Sequence, residues 1–346
     1  MTISVDLMEA KQLLSARLLN TGLQGNAVAT IFTHSVSEAV ASAKNNVHAV
    51  GVGKKIVDGK VTETPAVRIY VAQKIDPSLL SQADQLPKTV DGIPTDIIES
   101  PPAFFTPALP ACTTKRQKRQ RPMIGGISVA HKDVTAGTIA YFCRSVKPGD
   151  DPAKIYVLSN NHVLADVNKA DIGDDIYQPG PLDGGTPPAN KIAKFHRFVP
   201  INLDGQTSNK VDAAIAELLV GVASRRKICQ IGKIIGIKQA EEDMEVRKHG
   251  RTTGFTEGIV TDESIDALVG MDHNNPNIVA RFTNQMRIDR IDPHPTFGEG
   301  GDSGSLVVHR ETGEAVGLYF AGPPSGIYGL ANYIGDVITE LEIQLL

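Results

Sequence analysis

The sequence contains no tryptophan, and aromatic residues make up 5% of its 346 positions. That is too few to build stacking platforms for single-stranded nucleic acid. Cysteine is equally scarce. Cys112, Cys143 and Cys229 are odd in number and widely spaced, which gives neither a disulfide framework nor metal-ligand spacing. No apolar run approaches the roughly 20 residues a membrane helix needs. Residues Met1 to Ala10 lack the basic stretch and apolar core of a secretory signal. An excess of charge of one sign is missing too: a net charge of −4 implies no general affinity for phosphates. These absences give the expectation of a soluble cytoplasmic chain with reduced thiols, no membrane or nucleic-acid partner, no metal and no cofactor.

What is present is a globular composition, 41% hydrophobic, in a length that suits one large domain or two ordinary ones. Residues 1–100 read as a helical and α+β module. Asp6 with Glu9 resembles a capping box before Leu7, Met8, Ala10 and Leu14, and a second apolar stripe runs through Ala27, Val28, Ile31, Phe32, Val36 and Val40. From Val47 the period shortens towards two, with Asp58-Gly59 as a hairpin turn and Val67, Ile69 and Val71 alternating with Arg68 and Tyr70. Residues 101–121 read as a linker: Pro101, Pro102, Pro107 and Pro110 stiffen it, and Lys115, Arg116, Lys118, Arg119 and Arg121 follow. A basic run can be a nucleic-acid patch, a processing site or a solvated connector. Without interleaved aromatics, and in a net acidic chain, it reads as the connector. Residues 122–346 form the third segment. Short β-rich stretches recur there between Gly, Pro, Asp and Asn clusters, at the spacing of antiparallel barrels, and Ala331–Ile343 closes the chain as a helix.

Three pieces of this last segment carry chemistry. Gly298-Glu299-Gly300-Gly301-Asp302-Ser303-Gly304-Ser305 would set a serine on a tight turn whose own amides face a developing oxyanion. Val157-Leu158-Ser159-Asn160-Asn161-His162 is an apolar strand that ends in small polar residues and a histidine, an imidazole at the rim of a sheet. In Lys210-Val211-Asp212-Ala213-Ala214 a carboxylate opens a small, apolar strand, where desolvation demands a partner such as a histidine N–H. Each has a bland reading alone: a surface loop, an ordinary histidine, a turn aspartate. Together they occur in the order His162, Asp212, Ser303, at spacings of 50 and 91 residues, an order that differs from those of subtilisin and the α/β-hydrolases.

From about Arg121 onwards, roughly two-thirds of the sequence, the chain resembles the trypsin-like (chymotrypsin-fold) serine peptidases. More loosely it is similar to bacterial trypsin-like proteins and to plant narrow-leaf-type peptidases. Ile124-Gly125-Gly126-Ile127 looks like the first barrel strand, and Gly250-Arg251-Thr252-Thr253-Gly254 is similar to a motif of bacterial members. The resemblance implies a mainly β fold of two six-stranded antiparallel barrels behind the N-terminal helical and α+β module. It implies a serine endopeptidase with His162, Asp212 and Ser303 as its triad, and the Gly301 and Ser303 amides as oxyanion hole. Phe297, Phe320, Ala321, Gly322 and Gly326 would contact a polypeptide substrate. Phe297 replaces the acid that would floor a Lys- or Arg-selective pocket, and Gly322 and Gly326 are expected to leave the walls open, which favours small or medium apolar residues before the cut. No cysteine follows His162, so the family's usual disulfide beside the histidine is missing. Rival readings are a non-catalytic barrel that binds proteins and an esterase of the same acyl mechanism. Oligomeric state is left open, a homo-oligomer included.

Overall fold

The first element shows how local chemistry sets a boundary. Ser4 Oγ accepts a hydrogen bond from the Leu7 amide at 3.2 Å, so Ser4 caps the helix Val5–Leu19. The capping box expected at Asp6 and Glu9 gives way to this earlier cap. Leu7, Ala10, Leu14 and Leu19 are buried on one stripe, as a 3.6-residue period predicts. They pack on Val47, Val50, Val52, Val67, Ile69 and Val71, from the antiparallel strands Val47–Val57 and Lys60–Val71. Val57 faces Lys60 across the hairpin and Gly59 takes φ 74°, the left-handed backbone that a two-residue turn requires. The expected alternation of Arg68 and Tyr70 with buried neighbours is not seen, because all of residues 66–71 are buried. Arg68 keeps its charge there by donating to the carbonyls of Lys54 and Thr261.

The structure, a computed structural model, describes residues 4–19, 46–57, 59–82, 85–104, 115–272, 275 and 277–346. The helix expected over Ala27–Val40 lies outside the described residues, as do Pro107, Pro110 and Cys112. Two units divide the chain. One comprises Met1–Phe104, Asn202–Asn209 and Thr261–Arg287; the other comprises Phe105–Ile201, Lys210–Val260 and Ile288–Leu346. The sequence reading put everything after 122 in one segment, and no shift of composition marks 202–209 or 261–287. Among the described residues no helix is long and apolar enough to cross a membrane.

The second unit is mainly β, built from curled antiparallel sheets as the sequence led one to expect. In one sheet the spatial order is Ile343–Leu345, Tyr141–Ser145, Tyr156–Ser159, Ala214–Leu218, Lys191–Phe198, Asp175–Tyr177, Ser128–His131, Gly137–Thr138. Phe142, Val157, Ile176 and Phe195 fill its interior. In the other, Glu245–Gly250 pairs on one side with residues 254–259 and on the other with Leu306–His309, and Ala315–Ala321 and Tyr328–Tyr333 follow in turn. The closing helix spans Ile334–Leu341 and buries Ile334, Val337 and Leu341. Ala331 to Tyr333, expected within it, stay in the preceding strand.

In the first unit Asp262 is buried against Gly51, where a Cβ would come within 1.9 Å of its Oδ2. It accepts bonds from the Tyr70 hydroxyl at 3.0 Å and from the Ser264 and Val52 amides. Burial pushes its carboxyl up to about 6, against the pull of Arg68 and these donors. The folded state therefore holds this proton at a pH where the unfolded chain has released it, and the unit loses stability as pH rises from about 4 to 6. A shift of this size corresponds to on the order of 3 kcal/mol. Urea unfolding across that window should show the loss in the wild type and a flatter profile in Asp262→Asn; equal slopes would contradict the assignment.

Candidate active site

The strand Tyr156–Ser159 ends at Asn160, whose extended backbone starts the single-turn helix Asn161–Leu164. His162 is thereby clamped at the end of a sheet. The neighbouring strand Ala214–Leu218 pairs Ala214 with Ser159, which brings Asp212 alongside. The His162 amide donates to Asp212 Oδ1 at 3.2 Å, and His162 Nδ1 lies 2.5 Å from Asp212 Oδ2. The aspartate is fixed through its main chain as well: Asn332 Oδ1 accepts its amide at 3.1 Å, and its carbonyl accepts from Asn160 Nδ2 at 2.7 Å. Both side chains are buried, at 1% and 0% exposure. With Nδ1–H bound to the carboxylate, Nε2 is the basic nitrogen of the ring.

The serine arrives on a turn that only glycine permits. Gly304 has φ 91°, and a Cβ on it would stand 2.1 Å from Ser159 Oγ and 2.3 Å from the Thr138 carbonyl. This close approach seats the turn against Ser159, three residues before His162. Thr138 locks it there, since its amide donates to the Ser303 carbonyl and its hydroxyl to the Gly301 carbonyl, each at 2.8 Å. Ser159 Oγ in turn donates to the Thr138 carbonyl at 2.7 Å. Ser303 Oγ has a long bond to the Phe320 carbonyl, 3.4 Å.

Two peptide planes of this turn are held through their carbonyls. In a trans peptide the carbonyl of one residue and the amide of the next point in opposite directions. The Gly300 carbonyl is held by Thr252 Oγ1 at 2.5 Å, and the Asp302 carbonyl by the Ser305 amide at 2.9 Å and hydroxyl at 2.5 Å. The Gly301 and Ser303 N–H groups are therefore turned away from Thr252 and Ser305. Gly301 takes φ 95° to allow it.

Asp302, beside Ser303, is fully buried, and so is Lys248, whose Nζ lies 3.0 Å from Asp302 Oδ2. Thr253 Oγ1 donates to the same oxygen at 2.6 Å and the Glu299 amide at 3.0 Å, while Oδ1 takes the Thr252 and Thr253 amides at 2.8 and 3.1 Å. Burial pushes this carboxyl up, but the Lys248 ammonium and the four other donors together hold it below the usual carboxylate range. Burial lowers Lys248 below the ordinary amine value, against the pull of Asp302. Arg251, the cation of the Gly250–Gly254 motif, forms a bidentate pair with Asp183.

The basic run is solvated only in part: Lys118 and Arg119 are exposed, as a connector's charges would be, while Arg116 and Gln117 are built in. Arg116 donates to the carbonyls of Arg251 and Thr252 at 2.9 and 2.7 Å, and Gln117 is 3% exposed. Gln178 accepts from the Gln120 amide and donates to the Lys118 carbonyl, both at 3.0 Å.

Of the expected pocket residues, Phe320 supplies the carbonyl near Ser303, and Phe320 and Ala321 lie buried in the strand Ala315–Ala321. Phe297 is 0% exposed and meets Tyr319 edge-on at 6.1 Å; its amide donates to the Gly326 carbonyl at 2.7 Å. The walls expected to be open at Gly322 and Gly326 are closed: a Cβ on Gly322 would meet the Tyr328 carbonyl at 2.7 Å and the Tyr319 hydroxyl at 3.0 Å, and one on Gly326 the Gly298 carbonyl at 2.8 Å. Sequence reasoning missed Lys248, Thr138, Ser159 and Tyr319. A lysine in a strand and a tyrosine in an apolar run carry no local signal. Among the described residues no group of three or more His, Cys, Asp or Glu side chains could hold a metal ion.

Replacing Lys248 by Met leaves the Asp302 carboxylate buried without its cation, and breaking such a pair costs about 3–5 kcal/mol. Because the folded Asp302 lies below its unfolded value, its contribution is complete above about pH 4 and is lost as pH falls through the folded value. Urea midpoints at pH 7 should therefore drop strongly in Lys248→Met, with a shallower acid limb than the wild type; unchanged midpoints would show that the pair holds nothing.

The family profile described as the NARROW LEAF 1 N-terminal domain matches residues 36–98. Protein NARROW LEAF 1 of Oryza sativa subsp. japonica is 22% identical over 357 residues, an alignment that takes in 85% of this chain. The chain spans about half, 56%, of the length of that curated relative. Among solved structures, protease A of Thermobifida fusca is similar at 16% identity and a TM-score of 0.45, covering 64% of this chain and 97% of its own. A glutamic acid-specific serine protease that uses a histidine triad in substrate binding matches at 16% identity and a TM-score of 0.46, covering 65% of this chain and all of its own. The Nocardiopsis protease matches at 13% identity and a TM-score of 0.44, covering 64% of this chain and 97% of its own.

Proposed function

We propose that this protein is a serine endopeptidase in which Ser303 is the nucleophile, His162 its base and Asp212 the residue that orients the base. The observation that carries this reading is the 2.5 Å contact between His162 Nδ1 and Asp212 Oδ2, both buried, on a strand that Ser159 and Thr138 brace against the serine turn. The bond from Ser303 Oγ to the Phe320 carbonyl is long and is given up readily. His162 Nε2 takes the Ser303 proton as Oγ bonds to the scissile carbonyl carbon, and the carbonyl electron pair moves onto oxygen. The Gly301 and Ser303 amides hold that oxyanion, each donor of this kind contributing roughly 10²–10³ in rate. The C–N bond then breaks, and the imidazolium gives its proton to the departing amine. Water, deprotonated by the same histidine, hydrolyses the ester. The route calls on no metal or organic cofactor.

Two results test it. A fluorophosphonate should label Ser303, and Ser303→Ala should lower peptide hydrolysis by several orders of magnitude, down to the roughly 10³–10⁴ over water that oxyanion and binding contacts retain. Wild-type turnover in the purified variant would sink the mechanism. In the uncut chain, moreover, Asp302 already has an ammonium from Lys248, and Arg116, the Lys118 carbonyl and the Gln120 amide are bonded in place. Freshly purified protein of intact mass should therefore be active as it stands. Activity that emerges only as a fragment beginning near Pro122 accumulates would point instead to a zymogen.

A further inference from the structure

The residue beside Phe320 is placed unlike the rest of its strand. Tyr319 is tied through its backbone to the serine turn: its carbonyl accepts the Gly304 amide at 2.9 Å and its amide donates to the Ser305 carbonyl at 3.0 Å. Its side chain is 0% exposed and lies among three glycines. A Cβ on Gly298 would come within 2.7 Å of Cζ and 2.8 Å of the hydroxyl, one on Gly322 within 3.0 Å of the hydroxyl, and one on Gly329 within 2.5 Å of Cε2. Gly298 belongs to the loop that leads into Ser303, Gly322 ends the strand that offers the Phe320 carbonyl, and Gly329 belongs to the next strand. Glycines on facing segments ordinarily leave room for a bulky substrate side chain. Here the protein's own phenol ring takes that room.

The ring, more than the hydroxyl, is what takes up this space. The Tyr319 hydroxyl is buried with no hydrogen-bond partner, a state that a phenylalanine of the same shape would avoid. Nor does the ring bring a charge. Burial, together with Asp302 and Glu299, raises the phenol well above its ordinary value and keeps it neutral. Lys248 lies 5.7 Å from the ring centroid but is paired with Asp302.

We propose that Tyr319 is the specificity-determining residue: its ring fills the depth of the pocket beside Ser303, so that only glycine, alanine or serine is accepted at the residue whose carbonyl is attacked. The inference rests on the peptidase reading above, and narrows its substrates from apolar side chains in general to the smallest. Leucine, phenylalanine and arginine would each have to displace a ring that is held on three sides by backbone.

The test uses the full chain and intact mass to follow adduct formation at Ser303 with three peptidyl phosphonates that differ only in carrying Ala, Leu or Phe at that residue. A simple alkyl fluorophosphonate serves as the reference for a competent serine. Wild-type protein should react with the Ala reagent on the order of 100-fold faster than with the Phe reagent. In Tyr319→Ala the Phe-to-Ala ratio should rise by a similar factor, and in Tyr319→Phe, which keeps the ring, the wild-type ratio should persist. The wild-type ratio decides the matter even where Tyr319→Ala does not fold. Labelling by the fluorophosphonate with no preference for Ala over Phe overturns this inference and leaves the peptidase reading standing, and so does an unchanged ratio in a folded Tyr319→Ala. Failure of the fluorophosphonate to label Ser303 at all overturns both.

Discussion

A carboxylate placed next to Ser303 on a tight turn and buried completely has to be matched before anything else around it can be arranged. Asp302 meets that constraint with the Lys248 ammonium, the Thr253 hydroxyl and the amides of Thr252, Thr253 and Glu299. Desolvating an ion costs several kcal/mol even after relaxation, so these donors cannot drift apart independently. They come from two separate stretches, the strand and turn at 248–253 and the loop at 299, and the carboxylate binds one to the other. Gly250 is part of the same demand: a Cβ there would lie 2.2 Å from Asp302 Oδ1. One layer further out, Arg116 holds the carbonyls of Arg251 and Thr252, so the segment ahead of the first strand also contributes to the shape of the serine turn.

The second requirement is approach. The imidazole comes from one sheet and the serine from a loop of the other, and backbone must meet side chain with almost no separation. Gly304 provides this on the loop side; on the sheet side Ser159 and Thr138 provide hydroxyls that accept or donate where an alkyl group would only collide. Asn160 and Asn332 act similarly on Asp212, spending side-chain amides on its main chain so that both carboxylate oxygens stay with His162. Small polar residues around a charged pair are thus positioning groups, and Ser159, Thr138, Asn160 and Asn332 are all buried.

The parts of this arrangement that could be read from the sequence are those whose chemistry is written in adjacent residues. Gly-Asp-Ser-Gly announces a nucleophile turn because the glycines and the serine act within four positions. The histidine at the end of Tyr156–Ser159 and the aspartate at the head of Ala214–Leu218 could be placed because a polar residue at the rim of an apolar strand needs a partner. The mainly β character followed from the same recurrence of short strands. Lys248 could not be found in this way. Backbone amides reach Asp302, but the nearby arginine of the Gly250–Gly254 motif turns to Asp183. Lys248 reaches Asp302 through strand pairing far along the chain, which no local pattern encodes. Tyr319 was hidden for another reason: in the run Ala315–Ala321, every residue of which is buried, a tyrosine reads as core. Only the three glycines facing it, scattered over 298, 322 and 329, reveal what it displaces.

Lys248 and Tyr319 are also not independent of each other. The ammonium lies 5.7 Å from the Tyr319 ring centroid and 5.6 Å from that of Phe297, within the range where a ring face attracts a desolvated cation by about 0.5–2 kcal/mol. The rings themselves meet edge to face. The aromatic pair that closes the space beside Ser303 therefore also forms the apolar wall against which the Asp302 cation is buried. A smaller residue at 319 would open the pocket and at the same stroke admit water to the ion pair, which weakens it by raising the local dielectric. Pocket depth and the conformation of the serine turn are on this account two consequences of one packing decision.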